Sequence, residues 1–242
     1  MSHGPLAFLG VFLAVAASWF GVVVGPYFQF GDQQLVTIDD PGIEYPLARS
    51  GIAAQGAEVY RANGCQYCHT QQVRPPSEAA DLARKWGPRR TVSRDYLRDQ
   101  PPFLGRVRLG PDLANIGARE TNSTTLLAKL FCARMQMPGS TMPRYPYLFE
   151  LRRVGNEGAP SDAVAIPAAF SNLVPAGYAA VPKTEAYQLV AYLQSLKSDM
   201  LYYEVFPPQP PKRATNAAPV TAVAPDAAAT NQATATPAPA AK

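Results

Sequence analysis

From Pro5 to Gly25 the chain reads PLAFLGVFLAVAASWFGVVVG, apolar at every position except Ser18 and free of charge. A helix of about twenty such residues rises ~30 Å, the thickness of a bilayer's hydrocarbon core. The pattern predicts a transmembrane helix. A cleavable signal peptide calls for a basic leader, a shorter apolar run and a small-x-small site after it. Here the AxA-like stretch, Ala14 to Ala17, lies inside the run, so an uncleaved anchor over residues 1–28 is expected. Trp19, Tyr27, Phe28 and Phe30 add the aromatic character of a membrane interface. Neither flank carries a nearby Lys or Arg, so charge asymmetry does not orient the helix.

Residues 29–50 are polar and interrupted by Gly31, Pro41, Gly42 and Pro46, which reads as an extended connector. Helical spacing resumes between Ile52 and Asn63, where Ala53, Gly56, Ala57, Val59 and Tyr60 can share one face. A second helix is expected from about Thr184 to Ser198, with Tyr187, Leu189, Val190, Leu193 and Leu196 at three- and four-residue intervals. Beyond Phe206 the chain is Pro, Ala, Thr and Asn without an aromatic residue, and Pro219, Pro225, Pro237 and Pro239 interrupt any helix. Residues 207–242 are therefore expected to be disordered. The fold expectation is mainly α: anchor 1–28, linker 29–50, one compact domain over 51–206, and the tail.

Composition changes this picture little, but charge is unevenly placed. Met1 to Ala48 holds four acidic residues (Asp32, Asp39, Asp40, Glu44) and no Lys or Arg. Gln71 to Arg119 holds ten basic residues against five acidic ones, a local net of +5 within an overall +4. Such a stretch suits cofactor propionates or an acidic partner, with a merely solvated basic face as the plain alternative. No nucleic-acid partner is expected.

The chemistry sits in GCQYCH, Gly64 to His69. Two cysteines two residues apart, followed at once by histidine, are the attachment signature of a c-type haem. Cys65 and Cys68 would bond the two vinyl groups of one porphyrin edge, and His69 would reach the iron. A thioredoxin-like pair needs a βαβ context, and a zinc site needs further ligands. The chain has three cysteines and two histidines in all, so only Cys132 and His3 remain. Cys132, in an apolar helical stretch, reads as a small packed hydrophobe. No second CxxCH occurs, so one covalently attached haem c is the count.

Further residues are candidates around this haem. Arg74, in TQQVRP, is close enough in sequence to reach a propionate. Pro111, in GPDLANIG, offers a carbonyl to the second imidazole nitrogen of His69, which would fix the ring and raise its basicity. Electron-transfer haems keep a sixth ligand, usually Met or His. His3 lies at the anchor's far end, leaving Met135, Met137 and Met142 among the five methionines. Met137 and Met142 both precede proline in QMPGSTMPRYP, and the residues alone do not choose between them.

The anchor, GCxxCHxQxxRP, GPDLAxxG and MPxYPxL together resemble the mono-haem subunit II of cbb3-type cytochrome c oxidases. The likeness covers the anchor and residues 51–148, with weaker agreement through the last helix. It implies a class I-like cytochrome c domain in which the first and last helices cross, with Gly56 small enough for close approach. It implies Cys65 and Cys68 as haem anchors, His69 as proximal and Met142 as distal ligand. The haem domain would be periplasmic on a bacterial inner membrane, with the short N-terminus cytoplasmic. It would relay electrons from another cytochrome c subunit or a soluble donor to a catalytic haem-copper subunit, without catalysing oxygen reduction itself. Two other readings fit a single anchored CxxCH: the cytochrome subunit of a nitric oxide reductase, and a haem-based gas-binding module.

Overall fold

The computed structural model describes residues 3–38 and 42–205. The tail expected to be disordered, 207–242, lies outside the described residues, as do Asp39 and Asp40. The described part is mainly helical, with two short antiparallel strand pairs.

The apolar run forms helix α1 (Gly4–Trp19), a widened π turn (Phe20–Val24) and helix α2 (Gly25–Phe30). Pro26 has no N–H to give and its ring crowds the carbonyl one turn back. The turn before it opens, and the Gly25 N–H reaches the Phe20 carbonyl. The continuous span Gly4–Phe30 is long and apolar enough to cross a membrane, with mean hydropathy 2.3 and none of it buried against the protein. It runs two residues into the stretch read from sequence as connector. That connector also carries a strand pair, β1 (Val36–Thr37) with β2 (Glu44–Tyr45), in the register Val36↔Tyr45.

Helix α3 (Gly51–Ala62) begins at Ser50, whose hydroxyl accepts the Ala53 N–H, and ends where Gly64 takes φ +67°. Only a residue without Cβ enters that left-handed conformation freely, and there the chain turns into the cysteine motif. Short helix α4 (Ile116–Arg119) and α5 (Ser123–Cys132) follow. Strands β3 (Phe149–Arg153) and β4 (Tyr178–Pro182) pair antiparallel, Phe149 opposite Pro182, and lead into α6 (Thr184–Ser195).

Helices α3 and α6 pack on each other, as the sequence led us to expect. Gly56 is the reason they approach so closely: a Cβ there would enter the Gln188 backbone carbonyl and crowd Tyr192. Tyr60, Tyr192 and Phe103 fill the next layer, with ring centroids 5.2 Å apart for the two tyrosines and 5.6 Å for Tyr60 and Phe103. Leu127, Leu130, Phe131, Leu189, Leu193 and Leu196 extend the core across α5 and α6. Cys132 is part of it and fully enclosed.

The arginine-rich stretch is largely tied inward. Arg89 and Asp95 form a bidentate pair at 2.7 and 2.8 Å with both side chains 4 % exposed, and Arg89 also donates to the Met200 carbonyl at 2.6 Å. Arg94 holds Glu204 at 2.5 Å and donates to the Gln34 carbonyl. Arg98 pairs with Glu44, and Arg49 with Asp99. These contacts clamp the connector and residues 200–204 onto the domain. The expected open basic face is in good part an internal lattice of ion pairs.

Two outcomes follow. Gly56→Val should lower unfolding free energy by about 1–3 kcal/mol through overpacking, read from denaturant midpoints at unchanged slope. Gly51→Ala, whose Cβ meets nothing within 4 Å, should leave the midpoint nearly unchanged. The hydrogen bond from Arg94 holds the Glu204 carboxyl below its usual range. Its stabilising contribution is therefore present above the ordinary carboxylate pKa and lost as pH falls through the depressed native value. Glu204→Gln should flatten the acid limb of the stability–pH curve there, and an unaltered limb would refute the assignment.

Candidate functional site

The motif follows directly from the end of α3. Cys65–Tyr67 make one 3-10 turn, with the N–H groups of Cys68 and His69 both directed at the Cys65 carbonyl, at 3.2 and 3.0 Å. This turn brings Cys65, Cys68 and His69 together. Cys65 packs against the core, and burial pushes its thiol up to about 12. Tyr67 projects outward.

His69 is held by a segment some forty residues further on. The Gly110 N–H donates to the Cys68 carbonyl at 3.0 Å and the Leu113 N–H to the Thr70 carbonyl at 2.7 Å. These two bonds straddle His69 and bring the Pro111 carbonyl to 2.8 Å from its Nδ1. A carbonyl only accepts, so Nδ1 carries the proton and Nε2 keeps a free lone pair. Burial lowers the imidazole's pKa, partly opposed by the Pro111 bond and by Asp112. The ring is thus oriented and biased towards its neutral form, with Nε2 able to serve as a donor atom. Gly110 is what lets it lie there, because a Cβ at that position would occupy the imidazole itself.

Behind this segment lies a polar cluster that sequence reasoning missed. Asp112 accepts from the Thr70 hydroxyl at 2.6 Å, the Gln72 N–H at 2.7 Å and the Ala114 N–H at 2.9 Å. Arg108 donates to Thr70 Oγ1 at 2.8 Å, to Asp81 at 2.6 Å and to the Gln72 carbonyl at 2.6 Å, and it stands 3.6 Å from Asp112. Asp81 also accepts the Arg74 N–H at 2.8 Å. Both carboxylates are 0 % exposed. The one available signal was the Asp beside Pro111 in GPDL, which does not reveal burial.

Arg74 itself is half-buried, and its guanidinium has no hydrogen bond or ion pair among the described residues. The arginine that braces the loop is Arg108. The methionines separate clearly: Met142 packs against the core cluster, whereas Met137 is 54 % exposed. Met135 also touches the core. The loop bearing Met142 is drawn to the motif. Its Tyr147 hydroxyl bonds Asn63, just before the motif, and its Tyr145 N–H bonds the Leu130 carbonyl at 3.1 Å. Tyr145 is close enough to both cysteines to feel their charge; burial, then that proximity, raises its pKa to about 12.

The residues therefore fit a haem by an observation independent of spacing: an imidazole enclosed by Gly110, protonated on Nδ1 and open on Nε2, next to two thiols on one turn. A search of curated proteins returns no match to this chain. Residues 11–158 do match a family model, that of the cytochrome c oxidase mono-heme subunit, FixO. The match takes in most of the apolar helix, the cysteine motif, the Gly110–Leu113 segment and the Met142 loop, and on that extent the chain belongs to the FixO family of cytochrome c oxidase mono-heme subunits.

Proposed function

We propose that this chain is the membrane-anchored electron-relay subunit of a cbb3-type haem-copper oxidase, with one haem c bound through Cys65 and Cys68. The observation that carries this reading is the doubly hung segment Gly110–Leu113, which leaves His69 neutral, oriented by Pro111 and free at Nε2. When bound, the haem supplies a one-electron iron couple. The chain's own residues do the rest. Cys65 and Cys68 would tether the haem, His69 would ligate its iron, and the Pro111 carbonyl would raise the basicity of that ligand. Met142, on a proline-flanked loop that packs on the core, would supply the second, thioether ligand. The exposure of Met137 speaks against it in that role. Arg74 has its donors free for a propionate.

The helix Gly4–Phe30 is the anchor in this reading, with the N-terminus cytoplasmic and the haem domain in the bacterial periplasm. The domain would be a class I-like cytochrome c fold, for which the α3–α6 crossing at Gly56 is the support. Electrons would arrive from another cytochrome c subunit or a soluble donor. They would leave to a catalytic subunit where oxygen is reduced, so no reaction on oxygen is assigned to this chain.

Four outcomes test the reading. Haem should stay with the polypeptide on a denaturing gel and be lost in a Cys65→Ala, Cys68→Ala double variant. Met142→Ala should turn the haem high-spin in its visible spectrum while Met137→Ala stays low-spin, and the reverse would move the ligand by one Met-Pro unit. The native complex should contain copper and b-type haem besides haem c; an iron-only complex would defeat the oxidase assignment. Gly110→Ala, by displacing the imidazole, should cost about 1–3 kcal/mol of stability and reduce haem incorporation, scored by haem stain per unit of protein.

A further inference from the structure

Beneath the proximal segment two carboxylates, Asp81 and Asp112, are fully enclosed, and the Arg108 guanidinium lies 2.6 Å from one and 3.6 Å from the other. No step of the haem reading so far uses them. Burying two carboxylates is costly even where they accept hydrogen bonds from the loop. Asp112 receives three hydrogen bonds, two from Thr70 and Gln72 in the chain just after His69 and one from Ala114 on its own segment. Its field reaches the imidazole. Arg119 completes the surroundings, donating to the Asp112 backbone carbonyl and lying within reach of its carboxylate field. Opposed charges are therefore arrayed in a low-dielectric region on the proximal side, where each acts more strongly than it would in water.

We infer that Asp112, braced by Arg108 against Asp81, is a positioning residue that sets the reduction potential of the haem. The inference rests on the proposed ligation by His69. It acts in two ways. The carboxylate ties the residues that follow Pro111 to Thr70 and Gln72, just past His69, so that the carbonyl stays on Nδ1 and the ligand stays basic. Its negative charge also favours the oxidised iron, which carries one more positive charge than the reduced form. Reduction here is the transfer of one electron from an external donor to iron, with no bond made or broken at Asp112, Arg108 or Asp81. Removing an anion from the array should raise the potential, and removing the cation should lower it.

The test is a spectroelectrochemical titration of haem c in the purified native complex, for Asp112→Asn, Asp81→Asn and Arg108→Gln. Haem staining and the visible spectrum are recorded first. If the wild-type chain carries no covalent haem, or His69→Ala leaves the spectrum unchanged, the haem reading fails, independently of the charge inference. With haem present, Asp112→Asn should shift the one-electron equilibrium about tenfold towards reduction, a rise of ~59 mV. Arg108→Gln should shift it in the opposite direction. If Asp112→Asn does not fold, Asp81→Asn against Arg108→Gln decides, with a smaller rise expected for Asp81→Asn. Loosening of the loop admits water and moves all the variants in the same direction. A common sign, or an unmoved potential in the folded variants, would overturn the inference.

Discussion

The structure depends on two backbone hydrogen bonds that lie on either side of one residue. Gly110 to Cys68 and Leu113 to Thr70 fasten a distant segment across His69, and the carbonyl between them meets the imidazole. An imidazole on a loop has two tautomers and a free ring torsion. Here the opposing carbonyl selects the tautomer, and the absent Cβ of Gly110 selects the plane. The ring's position is thereby fixed by the protein alone, and a site so arranged lowers the entropic cost of binding.

That fastening holds only because the two segments have a rigid base. On one side the motif continues from α3, whose angle to α6 is set by Gly56 against the Gln188 backbone. On the other, Asp112 within the segment and Arg108 just before it both bond Thr70 and Gln72, in the chain that follows His69. The α3–α6 contact is apolar and the loop contact is ionic, and each suits its place. Helices bury regular faces without needing polar partners. A loop with enclosed N–H groups must find acceptors, and an aspartate can satisfy several at once.

The sequence made the N-terminal apolar helix, both crossing helices and the cysteine motif legible, because each is written in a local period or a fixed spacing. Helix α6 was expected from Thr184 and begins there, and α3 begins one residue before Ile52. The strand pair β3–β4 was not legible. FELRR and YAAVP are five residues each, and their pairing joins Phe149 to Pro182 across a long excursion. The arginines were misjudged for the same reason. Counting them gave a local excess of charge, but Arg94 finds Glu204 at a separation of 110 residues, which no window along the chain can register. In the candidate site the cysteines, His69 and the methionines were readable as candidates by residue type. The roles of Asp81, Arg108 and Asp112 were not, because burial rather than residue type makes them important.

The inward use of the arginines also bears on how such a subunit meets its partner. A freely diffusing electron carrier relies on a charged face, since steering can raise association rates by orders of magnitude. With Arg49, Arg89, Arg94, Arg98 and Arg108 engaged in ion pairs of the chain itself, much of that face is absent. In the proposed assembly an anchor makes steering unnecessary, because confinement to one membrane keeps the effective concentration of the partner high. Freed from steering, the arginines can hold the connector and residues 200–204 against the domain. This explains why a stretch with a net charge of +5 folds largely onto its own carboxylates and carbonyls.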